Sequence, residues 1–200
     1  MMNVDALRQG QSIPLTDDYT MSLIRHEDMV DILAMLANPN VTTYLFFAPA
    51  PDALYHGFFD PIIEDTVQAI AEDRWPEHPT VIIRDHQGQY MGMGGLAQVM
   101  LLAGNMEVGY QLPEHAWGKG IATAICRALT QLAFTTLDVH KLTADCYGQN
   151  AGSFKTLEKC GFRREGCLTG YYKVEDGADD RLFYGMTAEQ YAEGLSEMMA

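Results

Sequence analysis

Apolar and polar residues alternate in some stretches of the chain and recur every three to four residues in others. Alternation is typical of strands, and the longer period is typical of helices. These patterns predict strands over 19–25, 80–84, 90–100, 106–112, 141–146, 162–168 and 181–186. They predict helices over 27–37, about 61–74, 118–134, 152–159 and 188–199. The chain is therefore predicted to be an α/β protein.

The order of these elements predicts a mixed sheet. The three strands over 80–112 are joined by short turns, which favours an antiparallel meander. After residue 113 strands and helices alternate as β-α-β-α-β, and the unit 106–146 should place its two strands parallel. A chain of 200 residues and 22.3 kDa has the size of one domain, so we expect a single domain over 1–200.

A glycine-rich turn before the helix 118–134 is the strongest motif in the chain. Residues 115–123 read HAWGKGIAT, so two glycines spaced G-x-G precede a helix, and Lys119 lies between them. Unpaired amides and the macrodipole make such a helix start attractive to phosphate. The P-loop and the complete dinucleotide fingerprint are both absent. A second helix opening follows at 150–153, where Asn150 is predicted to be an N-cap.

The distribution of charge agrees with an anion site in the middle of the chain. The net charge is −14, yet residues 80–174 carry nine basic and seven acidic side chains. The acidic flanks disfavour a general nucleic-acid binder and would attract cations. Four cysteines and six histidines lack metal-site spacing, so we predict reduced thiols and no metal. The sequence shows neither a signal peptide nor a membrane-length apolar run, which predicts a cytoplasmic protein.

Three stretches together resemble the GNAT superfamily of acyl-CoA-dependent N-acetyltransferases. They read EVGYQL…HAWGKGIAT, NAGSFKTLEKCGFRREGCL and DDRLFYGM, and the resemblance is clearest over 80–187. The chain is most similar to the RimJ/RimL-like branch, which acetylates α-amines of ribosomal proteins and includes relatives acting on polyamines and other small amines. The resemblance implies a GNAT-type fold, acetyl-CoA as co-substrate, a cationic amine acceptor and a possible homodimer.

The resemblance also assigns a cofactor site. The family's pyrophosphate signature, Gln/Arg-x-x-Gly-x-Gly/Ala, falls on residues 115–120, where His115 replaces Gln or Arg. In such enzymes the pantetheine arm pairs like an added strand with the strand before this loop, which points to Gln111 and Leu112. Asn150 matches the Asn that hydrogen-bonds the arm. The full set of predicted cofactor-binding residues is Gln111, Leu112, Trp117, Gly118, Lys119, Gly120, Ile121, Ala122, Thr123, Asn150 and Ser153.

The catalytic residues follow less directly, because the acceptor amine must lose a proton before it attacks the thioester. Ser153 matches the residue proposed to donate to the leaving thiolate in RimL-like enzymes. The proposed catalytic Glu of those enzymes falls on Tyr172, which is a base near neutral pH only if strongly perturbed. Glu107, which alternation places on the strand face opposite Val108 and Tyr110, is ranked first as the base. Proton loss to a chain of water is the remaining alternative.

We therefore expect transfer of an acetyl group to the N-terminal α-amine of a protein. The alternatives are a small-molecule acetyltransferase acting on a polyamine or amino sugar, and a non-catalytic acyl-CoA-binding regulatory module. A nucleotide-binding regulator is weaker, because neither phosphate fingerprint is complete. A cavity closed by Phe46, Phe47 and Phe58 would favour a small acceptor, whereas a protein acceptor needs an open groove.

Overall fold

Eight strands form one mixed sheet in the computed structural model, which describes residues 2–199. The strands are β1 Ile13–Pro14, β2 Tyr19–Leu23, β3 Thr80–Asp85, β4 Tyr90–Gln98, β5 Asn105–Gln111, β6 Lys141–Tyr147, β7 Arg163–Val174 and β8 Gly177–Thr187. Their order across the sheet is β1-β2-β3-β4-β5-β6-β8-β7. The pair β5 and β6 is parallel, and the neighbouring pairs β3–β4, β4–β5 and β6–β8 are antiparallel. The predicted mixed α/β fold, with its meander and its parallel crossover, is confirmed.

Seven helices accompany the sheet among the described residues. They are α1 Val4–Arg8, α2 Met29–Leu36, α3 Pro39–Thr42, α4 Asp52–Ala71, α5 Ile121–Thr135, α6 Ala151–Lys159 and α7 Ala188–Met199. Short 3₁₀ turns at His26–Asp28 and Glu114–Ala116 precede α2 and α5. No helix within residues 2–199 has the length and apolar character needed to cross a membrane.

Helices cover the two faces of the sheet unequally. The larger core joins α1, α5 and α6 to one face, and fully buried residues of α5 such as Ile125 and Leu129 lie at its centre. Each such side chain stabilises the fold by roughly 1.5–3 kcal/mol. The second core packs α2 and α4 against the opposite face at Ile82, Tyr90 and Met93. Among the described residues this second core includes no side chain of β5 to β8, so that face of these strands is left for the site described below.

The first large difference from the sequence prediction is the start of α4. It begins at Asp52, nine residues before the predicted position, and Pro61 lies inside it. A proline removes one backbone hydrogen bond and is costly within a helix. The helix continues here because its buried face, including Tyr55, Phe59 and Ile63, runs on both sides of the proline. Tertiary packing of that face outweighs the local cost.

The other differences concern element ends. The predicted helix over 118–134 begins at Ile121, because Gly118 and Gly120 have left-handed φ angles of 73° and 78°. The predicted strands over 162–168 and 181–186 extend into one long hairpin, β7–β8. Its polar distal half pairs through backbone hydrogen bonds and lacks the apolar alternation that marks a strand. The short elements α1, β1 and α3 were not predicted.

Candidate active site

The parallel strands β5 and β6 separate soon after they pair, and they leave a wedge between them. Only the residues Asn105 to Glu107 of the described β5 pair with β6, while β5 continues to Gln111 and β6 to Tyr147. The backbone edges beyond Glu107 are therefore not paired across the wedge. An extended ligand can add to such an edge as a strand would. Gln111, predicted to contact the pantetheine arm, ends β5 at the open end of the wedge.

The glycine turn lies directly beyond this open end. The first hydrogen bond of α5 runs from the Ala124 amide to the Gly120 carbonyl at 3.1 Å, so the amides of residues 121–123 precede the helical ladder. A Cβ atom built on Gly118 or Gly120 would meet no atom within 4 Å, which shows open space in front of the turn. Exposed Lys119 adds a positive charge. Free amides, a helix dipole and open space together fit a phosphate group.

Two side chains tie the glycine turn to the sheet. The Trp117 indole N–H donates to the Leu112 carbonyl at 2.9 Å, so this carbonyl already has a partner and Gln111 is the better candidate for strand-like pairing. His115 Nε2 lies 2.9 Å from the Tyr90 carbonyl at the start of β4. The residue that replaces the family's Gln or Arg thus anchors the loop to the sheet.

The remaining predicted cofactor residues at the start of α5 differ in what they can offer. Ile121 is 1% exposed and belongs to the core, so only its amide faces outward. Ala122 and Thr123 are half-buried. All three contribute chiefly through their backbone amides.

The start of α6 is held in place by several hydrogen bonds. The Asn150 side chain accepts from the Ser153 amide at 3.1 Å, which confirms the predicted N-cap. Buried Asp179 accepts from the Gln149 amide at 3.1 Å and fixes the preceding turn. The Tyr110 hydroxyl donates to the Ser153 carbonyl at 3.1 Å. Ser153 therefore stands on the α5 side of the wedge, on a helix start that β5 and β8 both position.

A buried thiol lies beside Ser153. Burial raises the pKa of Cys146 to about 11, and a hydrogen bond from Ser153 acts in the opposite direction. The thiol is therefore protonated near neutral pH, as expected for a reduced structural cysteine.

Glu107 lies on the opposite face of the sheet, together with an acidic partner that the sequence prediction missed. It pairs with Thr143 of β6, and Asp145 is two residues further along that strand on the same face. Partial loss of water raises the pKa of Glu107, and the charge of Asp145 and a hydrogen bond between the two carboxyls raise it further. Arg181 opposes this rise.

Asp145 joins three strands at this point. Its Oδ2 accepts from the Tyr172 hydroxyl of β7 at 3.1 Å and from Nε of Arg181 on β8. The Tyr172 ring stacks on Tyr147 with centroids 3.7 Å apart. Burial raises the pKa of Tyr172, and the charge of Asp145 raises it further, so the phenol is a donor near neutral pH. The structure brings Glu107 and Tyr172 into one cluster and gives Tyr172 no basic character.

Two signals in the sequence pointed toward these missed residues. Asp145 is a lone carboxylate in the apolar strand LTADCY, and Arg181 is part of the DDRLFYGM stretch. Neither signal shows that the two side chains meet, because strand pairing brings them together.

Aromatic residues that follow α3 or lie within α4 leave this face unclosed. Tyr44 lies 5.7 Å from the Tyr147 ring, measured between centroids. Phe46 and Phe58 are 72% and 60% exposed, and Phe47 is half-buried. These phenylalanines do not form a closed cavity. The Glu107 side chain is itself exposed, so the face that carries it is open.

The wedge is thus flanked by two different sets of groups. Ser153 and the helix starts lie on one face, and the carboxyls of Glu107 and Asp145 lie on the other. A reactant in the wedge would meet hydrogen-bond donors on one side and a proton acceptor on the other. This arrangement suits acyl transfer to an amine.

Comparison with known proteins agrees with this chemistry. Residues 19–163 match the family described as acetyltransferase (GNAT) domain. The uncharacterized N-acetyltransferase p20 of Bacillus licheniformis is 25% identical over 177 residues, which cover 88% of this chain and 97% of that protein. Structures of two acetyltransferases share the fold. One is the spermidine N-acetyltransferase of Vibrio cholerae in complex with CoA and spermine, with a TM-score of 0.75, 19% identity and coverage of 88% and 99% of the two chains.

The other is RimL, the ribosomal L7/L12 alpha-N-protein acetyltransferase, in complex with CoA. Its TM-score is 0.72 at 14% identity, over 88% of this chain and 98% of RimL. At these identities the structural likeness shows the fold, and the family match rests on the sequence. Because that match spans most of the chain, the protein belongs to the GNAT family and is an N-acetyltransferase that uses acetyl-CoA.

Proposed function

We propose that this chain acetylates the N-terminal α-amine of a polypeptide. The observation that carries the proposal is the open, carboxylate-bearing face around Glu107, beside the wedge and the glycine turn. An open face admits the end of a polypeptide. Phe46 and Phe58 are exposed, so they do not form the closed aromatic pocket that would favour a small acceptor.

The glycine turn and the wedge are the parts of the chain that fit the co-substrate. The amides of 121–123 and the open space beside Gly118 and Gly120 would hold its phosphates, and Gln111 and Asn150 would hold its arm. When bound, acetyl-CoA supplies an acetyl thioester. The chain supplies alignment at the wedge and the groups that move protons around it.

Glu107 is the proposed proton acceptor. An α-amine has a pKa near 8, whereas a primary alkylamine lies near 10, and both are mostly protonated at neutral pH. A carboxylate whose pKa is raised is a stronger base and is better matched to the less basic α-amine. Glu107 takes a proton from the ammonium form, and the neutral nitrogen then attacks the acetyl carbon. The carbon–sulfur bond breaks, CoA leaves as a thiolate, and the second proton released from the nitrogen neutralises that thiolate.

Ser153 is proposed to act on the other side of the wedge. Its hydroxyl would donate a hydrogen bond to the negative charge that develops on the departing sulfur. An ordinary hydroxyl is too weak an acid to transfer its proton outright, so its contribution is a charge-assisted hydrogen bond. Tyr110 and Asn150 position Ser153 through its carbonyl and its amide.

A polyamine acceptor is the second candidate. Two carboxyls at Glu107 and Asp145, with an acidic segment over 51–79, would attract a polycation. The spermidine N-acetyltransferase of Vibrio cholerae shares the fold, and so does RimL, whose name states a protein α-amine. The open face favours the polypeptide.

The proposal is tested by following thiol release from acetyl-CoA with matched acceptors. The panel contains peptides with free N-termini, the same peptides with blocked N-termini, spermidine and an amino sugar. We expect turnover with free peptides and none with blocked ones, and a large loss in Glu107→Gln. Glu193→Gln, which neutralises an exposed carboxylate on α7, is the control and should match the wild type. Turnover of spermidine alone would replace the first candidate with the second, and CoA binding without any turnover would indicate a regulatory module.

A further inference from the structure

We propose that Asp145 is a positioning residue for Glu107, which it holds at the wedge and whose working pH range it sets. The inference rests on the proposed role of Glu107 as the base and goes beyond it. It assigns a function to a carboxylate that no motif in the chain marks.

Asp145 lies deeper in the structure than Glu107, which stands between it and solvent. The two residues lie on neighbouring parallel strands and on the same face of the sheet. Glu107 is the last residue of β5 that pairs with β6, and Asp145 lies two residues beyond its partner Thr143 on β6. The Asp145 side chain is 11% exposed, whereas Glu107 reaches solvent. Asp145 is thus the inner carboxyl, and Glu107 is the one that an acceptor can meet.

Asp145 is itself held firmly. Its Oδ2 accepts from the Tyr172 hydroxyl and from Nε of Arg181, and Tyr172 is clamped against Tyr147. A carboxylate bound by two donors from two other strands keeps one orientation. It therefore presents a fixed negative charge to Glu107.

The charged groups around Glu107 determine the direction in which its pKa shifts. Asp145 acts on it from β6 and Arg181 from β8, while its partner on β4 is the uncharged Ala97. Tyr172 of β7 contacts Asp145. On the same face of the sheet Lys141 and Glu165 neutralise each other in an ion pair at 2.7 Å. Asp145 thus raises the pKa of Glu107, and Arg181 lowers it.

Removing the charge of Asp145 and removing the charge of Arg181 should therefore shift the pKa of Glu107 in opposite directions. In Asp145→Asn the amide has the same shape and its oxygen can still accept a hydrogen bond, but the negative charge is gone. Glu107 should then lose its proton at lower pH. In Arg181→Gln the opposing positive charge is removed, and Glu107 should hold its proton to higher pH.

The experiment is the pH profile of kcat/KM for the wild type and both variants, with whichever acceptor is turned over. The acid limb reports the base of the free enzyme. We expect it to move to lower pH in Asp145→Asn and to higher pH in Arg181→Gln. Thermal unfolding and CoA affinity, measured alongside, identify a variant that has merely lost its fold.

A purely structural Asp145 would give a different result. Both variants would then lower kcat/KM by a constant factor at every pH, with the acid limb unmoved or displaced in the same direction, and the proposal would be overturned. Failure of the proposed function is separate. It would appear as wild-type activity in Glu107→Gln, or as an acceptor other than an α-amine, before any limb is compared.

Discussion

Gly120 and Gly104 have nearly the same backbone conformation but lie at opposite ends of the strand β5. Their φ angles are 78° and 79°. Gly120 opens α5 beyond the end of the strand, and Gly104 directly precedes its start. Replacing each by alanine separates the cost of a strained backbone from the loss of a ligand site.

The structure gives the size of the first effect. A left-handed conformation costs an L-residue roughly 1–2 kcal/mol. An added Cβ on Gly120 meets nothing within 4 Å, and on Gly104 it meets the Cβ and the backbone nitrogen of His140 at ordinary distances of 3.4 and 3.8 Å. Each variant should therefore lose about the same stability. For a chain of this length that corresponds to a fall of about 2–8 °C in Tm.

Only Gly120→Ala should affect the co-substrate. Its methyl group would occupy the open space in front of the amides of 121–123, where the phosphates are proposed to lie. We expect at least a tenfold weaker Kd for CoA by calorimetry, about 1.4 kcal/mol, and an unchanged Kd in Gly104→Ala. Equal affinities in the two variants would refute the assignment of the glycine turn as the phosphate site.

Three further substitutions test other parts of the structure. Gly94→Ala should lower the free energy of unfolding by about 1–3 kcal/mol in urea, because its Cβ would clash with Cγ2 of Ile125. Wild-type stability would contradict the close packing of α5 on β4. His115→Ala should weaken CoA binding in calorimetry without a comparable loss of Tm, because the substitution frees the glycine turn from the Tyr90 carbonyl. An unchanged Kd would show that the contact between His115 and Tyr90 does not hold the turn in place for CoA. Ser153→Ala should lower kcat by roughly 10- to 100-fold in steady-state assays and leave the affinity for CoA unchanged, because a hydrogen bond to a charged group contributes about that much. An unchanged kcat would show that Ser153 takes no part in the reaction.

The local features of the fold could be predicted from the sequence. The period of apolar residues located the strands of the meander and α5, and the N-cap at Asn150 followed from its residue type. The G-x-G spacing located the turn before α5. Each of these depends on residues that are close together along the chain.

The start of α4 and the acidic cluster could not be predicted in this way. Pro61 is a helix breaker by local rules, and only the packing of the buried face of α4 keeps the helix continuous. Asp145, Tyr172 and Arg181 come from three strands whose register is set by pairing across the sheet. Resemblance located Tyr172 at a catalytic position, but the partner that defines its chemistry is 27 residues away in sequence.

We propose that a peptide meeting Glu107 on the open face is acetylated at its α-nitrogen. The most direct measurement uses one peptide that carries both a free N-terminus and a lysine side chain, with acetyl-CoA and the full chain. Tandem mass spectrometry then locates the added acetyl group. The structure predicts acetylation of the α-nitrogen, abolished in Glu107→Gln. Acetylation of the lysine side chain, or of spermidine in preference to the peptide, would contradict the claim.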